Sequence, residues 1–345
     1  MEKKIENRIE YLDLLRIIAI FGVVVLHVAA QNWVKEFTNV FNWNVYNVYD
    51  SLVRWTVPVF VMISGTLFLS KEYSIKKIHS KKIFRIITAL GFWSVVYILL
   101  YRRSNSITDI IYNLLIGNYH MWFMFMIIGL YIITPFLKKI VESEELMKYF
   151  IIVSFIFSCF IPQLINILSE FSSNMYIQTI INAINYWIEK IGFGFGYAMY
   201  YVIGYYISKK DFSKNNRIII YVLGLFGVLI TIFGTMWCSR ISNTPRVIFY
   251  DNFSIGVFLE SISVYVFAKY NFKSNNIINY MSKISFGIYL IHIIPLWELE
   301  QKMGITSSFI NPIISVPLLS IGIFIVSAII STIINKIPII KKYIV

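Results

Sequence analysis

The chain has 345 residues, of which 58% are hydrophobic and 17% aromatic, and its mean hydropathy is +0.69. A composition this apolar excludes a soluble globular protein, whose surface would have to face water. The 31 Lys and Arg exceed the 18 Asp and Glu and give a net charge of +13, which could suggest a nucleic-acid ligand. Because these basic residues lie beside apolar runs, we expect the lipid bilayer as a partner and no nucleic acid.

Apolar runs of roughly 20 residues, the length that crosses a bilayer, recur along the whole chain. Runs this long do not fit a β-barrel, whose strands would show short alternating segments. We therefore predict an all-α polytopic membrane bundle, one domain over residues 1–345, with about ten transmembrane helices. The predicted spans are 12–31, 52–70, 83–101, 121–137, 149–168, 191–208, 218–237, 253–268, 284–297 and 313–334.

The orientation follows from the distribution of positive charge. With the N-terminus inside, 23 of the 31 Lys and Arg fall on the cytosolic side and eight on the other side. This asymmetry is the positive-inside signature of a plasma-membrane protein. We expect both termini in the cytosol, as an even number of spans requires.

The first span, YLDLLRIIAIFGVVVLHV at 11–28, carries Asp13, Arg16 and His27. Charged groups at membrane depth cost about 2.5 kcal/mol or more each, so their retention needs a reason. Eleven helical residues leave Arg16 and His27 about 20° apart around the axis and roughly 16 Å apart along it. Asp13 and Arg16 could be a snorkelling anchor and His27 a packing residue. We favour function, because a cation at the mouth and a titratable base deeper inside suit an anionic substrate entering from the cytosol.

Four further blocks share their order and spacing with a known family. They are RWTVPVFVMISGTLFL at 54–69, KKIFR at 81–85, YHMWFMFMIIGLYIITPFL at 119–137 and SFGIYLIHIIP at 285–295. Together with Arg16 and His27, which ten residues separate, they resemble the acyltransferase 3 family of integral membrane O-acyltransferases. The resemblance covers nearly the whole chain and is strongest to bacterial members that O-acetylate surface polysaccharides.

The resemblance implies a reaction and a donor. It implies that an acyl group, with acetyl as the preferred one, moves from cytosolic acetyl-CoA to a hydroxyl. The hydroxyl belongs to a cell-surface or lipid-linked glycan, and no metal takes part. His27 would be the general base or the acyl carrier, and Arg16 would hold part of the coenzyme or orient the partner of the histidine, supported by Asp13. The family's two phosphate-binding arginines correspond to Lys82 and Arg85; the lysine is the weaker assignment because it lacks a guanidinium fork.

Four more polar or aromatic side chains are candidates for substrate binding. His120 would line the acceptor entrance, and Trp122 beside it suits either an interfacial aromatic belt or the acceptor. Glu260, in the middle of a predicted span, could pair with an arginine, orient the catalytic histidine or stay protonated. His292 could contact substrate or serve packing.

Other residues are expected to serve packing alone. Cys159 falls in a predicted span and Cys238 directly follows one, so we expect neither a disulfide nor a metal site. Gly65 in the second span allows a close helix approach.

A second function remains open from the residues alone. Ten helices with buried Arg, His and Glu also suit a transporter or flippase for a polysaccharide or lipid-linked intermediate. The sequence shows no strong inverted repeat of the kind that many transporters carry, and it does not indicate an oligomeric state.

Overall fold

The computed structural model describes residues 9–71, 78–101, 106–172, 174–191 and 195–338, without the side chains of 79–80 and 187–191. Part of the predicted basic loop before the third span, both chain termini and three of the residues at the start of the sixth predicted span therefore lie outside the described residues. Throughout the described ranges helices are the only regular secondary structure, which confirms the all-α prediction.

The helices, in chain order, are α1 (Tyr11–Trp33), α2 (Val40–Ser51), α3 (Thr56–Leu69), α4 (Phe84–Tyr101), α5 (Ile107–Ile116), α6 (Trp122–Val141), α7 (Glu144–Phe155), α8 (Ile161–Phe171), α9 (Met175–Ile191), α10 (Gly196–Lys209), α11 (Lys214–Ile241), α12 (Ile255–Asn271), α13 (Asn276–Ile291), α14 (Ile293–Met303) and α15 (Pro312–Ile334). π-Helical turns at Ile78–Ile83 and Ile156–Phe160 precede α4 and α8, and 3-10 turns at Tyr119–Met121 and Ile248–Tyr250 precede α6 and α12.

Within the described part of the chain, eight stretches are long and apolar enough to cross a membrane. They are Tyr11–Trp33, Val40–Leu69, Lys81–Tyr101, Ile107–Val141, Glu144–Phe171, Lys214–Ile241, Ile248–Asn271 and Pro312–Ile334. Helices α13 and α14, bent by 41° at their junction, form a ninth when they are taken together. The chain is thus a multi-pass membrane protein, and eight or nine of the roughly ten predicted spans are full-length within the described residues.

The remaining predicted span, 191–208, corresponds to α10, which has only 14 residues and a length of about 21 Å. Eight of its residues are buried, and it packs against α3, α6, α7 and α12. A helix surrounded by protein need not match the thickness of the lipid. The difference from the prediction is therefore one of length and not of position.

Helices α3 and α10 cross at very short range. A Cβ atom on Gly65 would lie 1.8 Å from the carbonyl oxygen of Tyr201, and one on Gly204 would lie 2.1 Å from that of Met62. Each glycine therefore faces the backbone of the other helix directly. The interpretation of Gly65 as a packing residue is confirmed.

Helix α1 is central, since it packs against α2, α3, α12, α13 and α15. It runs parallel to α13. Arg16 contacts Ser282 and, further along both helices, His27 contacts His292, so the two helices run in the same direction.

Candidate active site

Three histidine rings from distant parts of the chain meet in the interior. His27 comes from α1, His120 from the 3-10 turn before α6, and His292 from the junction of α13 and α14. The ring centroids of His27 and His292 are 5.1 Å apart, and those of His120 and His292 are 5.3 Å apart. The sequence singled out each residue separately, and the structure brings them together. The side chain of the fourth histidine, His79, lies outside the described residues.

The tautomer of His292 follows from its surroundings. Its Nδ1 lies 2.7 Å from the carbonyl oxygen of Tyr289, and a carbonyl can only accept, so Nδ1 carries the proton. The lone pair is then on Nε2, which is buried and makes no hydrogen bond to any described residue. His292 therefore offers an unused acceptor within the histidine cluster.

His120 is 3% exposed, and neither of its ring nitrogens forms a hydrogen bond within the described residues. Its carbonyl accepts a 2.6 Å hydrogen bond from Tyr289 Oη, which fixes the turn. The turn begins after Gly117, whose φ of +72° suits glycine and whose Cβ would lie 2.9 Å from Met121 Sδ. A buried imidazole without a hydrogen-bond partner among the described residues is typical of a site that completes its hydrogen bonds with substrate or water.

Tyr119 connects the histidine cluster to a cavity. Its Oη lies 3.3 Å from His27 Nδ1, and the two rings meet edge to face with centroids 5.5 Å apart. The tyrosine also lines a cavity of about 560 Å³ between α4, α5, the 3-10 turn and α14. The other lining residues include Tyr97, Tyr101, Asp109, Asn113 and Trp297, together with apolar side chains of α4 and α5. The sequence placed Tyr119 in a family block but did not assign it to the site.

Arg16 lies near the beginning of α1, roughly 16 Å along the axis from His27. Its Nη1 donates a 2.8 Å hydrogen bond to Ser282 Oγ and lies 3.8 Å from Asp13 Oδ1. Ser282 Oγ in turn donates to Asp13 Oδ1 at 2.9 Å. Asp13 and Ser282 thus orient the guanidinium, whose side chain is 25% exposed.

Lys82 and Arg85 lie at the same end of the bundle as Arg16. Lys82 Nζ is 5.8 Å from the ring centroid of Phe68 at the end of α3, and Arg85 is exposed in the first turn of α4. The end of α3 connects to the start of α1 through Tyr265, whose Oη lies 2.5 Å from Thr66 Oγ1 and whose ring contacts Tyr11. The molecule therefore has a cationic end and a histidine end.

The other two predicted substrate-binding residues lie outside the histidine cluster. Glu260 is buried at the interface of α11 and α12, where its Oε1 accepts a 2.8 Å hydrogen bond from Thr231. Trp122 is 42% exposed and packs on the ring of Tyr197. Neither is among the residues that line the cavity.

A buried ion pair near the histidine end escaped the sequence reasoning. Arg54 Nη2 donates to Asp50 Oδ2 at 2.6 Å, and its guanidinium carbon lies 4.0 Å above the ring of Tyr250. Asp50 is 1% exposed. The i,i+4 spacing of an acidic and a basic residue inside an apolar segment was the signal that could have identified this pair.

A family model described as an acyltransferase domain matches residues 9–332, nearly the entire chain. The chain therefore belongs to this acyltransferase family, as the sequence motifs predicted. No match was found among curated proteins or among solved structures. The fold and the family together define a multi-pass membrane acyltransferase.

Proposed function

We propose that the protein transfers an acetyl group from cytosolic acetyl-CoA to a hydroxyl of a cell-surface or lipid-linked glycan. The observation that carries the proposal is the position of His27 on α1. It lies in a cluster of histidines next to a cavity, while the same helix presents Arg16 at the opposite, cationic end. An extended donor can bridge the roughly 16 Å between the two residues.

The cationic end suits an anionic donor. Arg16 is oriented by Asp13 and Ser282, and Arg85 is exposed at the foot of α4. Arginine forks match phosphate oxygens, so these two guanidinium groups would hold the nucleotide part of acetyl-CoA, with Lys82 as a further point charge. When bound, the donor supplies an activated thioester carbonyl.

His27 would act as the general base that accepts the proton of the acceptor hydroxyl. If Nδ1 donates to Tyr119 Oη, Nε2 keeps a lone pair that accepts this proton as the hydroxyl oxygen attacks the thioester carbonyl. The new ester C–O bond would form as the thioester C–S bond breaks, and the coenzyme A thiolate would leave with the proton from His27 Nε2. The lone pair of His292, in a ring 5.1 Å away, would stabilise the imidazolium that forms. The same His27 nitrogen would carry the acetyl group in a two-step route, and we leave both routes open.

The proposed orientation places the Arg16 end in the cytosol of a cell with the protein in its plasma membrane. It rests on the excess of Lys and Arg at that end, including Lys138 and Lys139 in the last turn of α6. The cavity would then open toward the outer face, where an exported glycan is available.

The test is His27→Ala in protein confirmed to insert, with acetylation of surface glycans measured by mass spectrometry. We expect a loss of about 10²- to 10⁴-fold, the usual contribution of a positioned general base. Gln31→Ala, one turn further along α1, is the matched control and should leave acetylation unchanged. If His27→Ala acetylates the surface glycans as well as the unchanged protein does, the proposal is wrong. Release of free thiol from acetyl-CoA by the purified protein would separate an enzyme from a transporter.

A further inference from the structure

The cavity next to His27 has the size and place of a binding site for the acceptor. Its volume of about 560 Å³ lies within the range of roughly 300–1,000 Å³ that is usual for ligand sites. It shares Tyr119 with the histidine cluster, so a molecule in the cavity would lie one side chain from His27. This volume exceeds what a simple alcohol needs and suits an acceptor of more than one ring.

One wall of the cavity is aromatic. The ring of Trp297 meets that of Tyr101 edge to face at 4.9 Å and lies 6.0 Å from that of Tyr119. Tyr101 is held in place by a 3.0 Å hydrogen bond from its Oη to Glu298. Flat aromatic surfaces of this kind attract the C–H faces of a pyranose ring, since those faces are apolar.

The facing wall is the polar side of α5. Asp109 and Asn113 lie one helical turn apart on the cavity side, while the apolar Ile107 and Leu115 are 72% and 68% exposed away from it. The cavity is open to the surface, so Asp109 and Asn113 are exposed as well, and the apolar Ile110 and Ile116 line it beside them. A carboxylate and an amide at this spacing can each bond hydroxyls of a sugar ring, and the carboxylate disfavours an acidic sugar.

We propose that this cavity binds the acceptor as an uncharged saccharide of about two rings. A ring face stacks on Trp297, hydroxyls bond Asp109 and Asn113, and the reacting hydroxyl points past Tyr119 toward His27. That the bound saccharide is the acyl acceptor rests on the proposed function. That the cavity binds a saccharide at all does not depend on it.

Binding is measured by saturation-transfer NMR on the full chain in lipid nanodiscs. The probes are cellobiose and N,N′-diacetylchitobiose, with N-acetylneuraminic acid as the acidic comparator. We expect saturation of at least one neutral disaccharide, and its Kd should rise about five- to tenfold in Asn113→Ala and in Asp109→Ala, as the loss of one hydrogen bond predicts. Leu115→Ala, on the lipid side of the same helix, should bind as the unchanged protein does. Asp109 also lies in the first turn of α5, so Asp109→Asn, which keeps its size, replaces the alanine variant if that does not insert.

The inference is overturned if neither disaccharide receives saturation from the unchanged protein, or if the Asn113 and Asp109 variants bind as tightly as it does. It is also overturned if the acidic sugar binds more tightly than both neutral ones. Thiol release from acetyl-CoA, measured on the same samples, separates the two proposals. Turnover without saccharide binding removes this inference alone, and saccharide binding without turnover removes the proposed function alone.

Discussion

Substitution of Gly65 by alanine should destabilise the protein more than any other single methyl addition to α3. The new Cβ would lie 1.8 Å from the carbonyl oxygen of Tyr201, whereas ordinary contact begins at 3.4 Å, so α3 and α10 would have to separate by about 1.6 Å. The obstacle is backbone and not a flexible side chain, and Gly204 presses on Met62 in the same crossing. We expect a cost of at least about 3 kcal/mol, at the upper end for overpacked cores.

The assay is thermal unfolding of the purified protein in one detergent, with Gly129→Ala and Gly91→Ala as matched controls. A Cβ at either control position meets no atom within 4 Å, so only helix propensity changes there, by less than about 1 kcal/mol. We expect Tm to fall by about 5 °C or more for Gly65→Ala and to stay within a few degrees for the controls. Equal Tm values for all three variants would refute the close crossing of α3 and α10.

Four further variants test the site and the contacts that support it. Tyr119→Phe should lower kcat about five- to tenfold without changing KM for acetyl-CoA, because it removes one hydrogen bond to the catalytic ring; an unchanged kcat would count against this role. Asp50→Ala should destabilise the fold by up to about 3 kcal/mol, since it leaves the Arg54 side chain, which is only 21% exposed, without its carboxylate, and calorimetry that finds full stability would contradict this. Arg85→Ala should raise KM for acetyl-CoA about tenfold or more, and Lys82→Ala less; equal KM values in both variants and the unchanged protein would remove the phosphate assignment.

Much of the fold could be predicted from the sequence because lipid imposes simple demands on it. A crossing helix needs a minimum length of apolar residues, and this requirement located the eight long spans and the bent pair at 284–297. Helix α10 obeys a different constraint, since its neighbours are protein and its close approach to α3 depends on Gly65 and Gly204. Hydropathy therefore predicted its presence but not its length. Helix α5, which lies beside the cavity, has only 10 residues, so the length requirement for a crossing helix did not identify it.

The site was less accessible to sequence reasoning, for a physical reason. The face shared by Arg16 and His27 follows from the geometry of a single helix, and both residues contact α13 as a common face requires. The meeting of His27 with His120 and His292 depends on how three separate segments pack, which local periodicity does not encode. Glu260 could be found from the sequence by its depth in a span, but its neighbours could not. In the structure its hydrogen bond to Thr231 joins α11 to α12.

The bend of 41° at His292 determines what faces the proposed saccharide. Trp297 stands five residues beyond the bend, so a straight continuation of α13 would carry its indole sideways by about 5 Å. That displacement is comparable to the ring separations of 4.9 Å and 6.0 Å that join this indole to Tyr101 and Tyr119. The angle of a single helix joint thus affects both the place of the His292 ring, 5.1 Å from that of His27, and the flat surface on which a sugar would rest. The bend at His292 therefore positions one residue proposed for the reaction, His292, and one proposed for saccharide binding, Trp297.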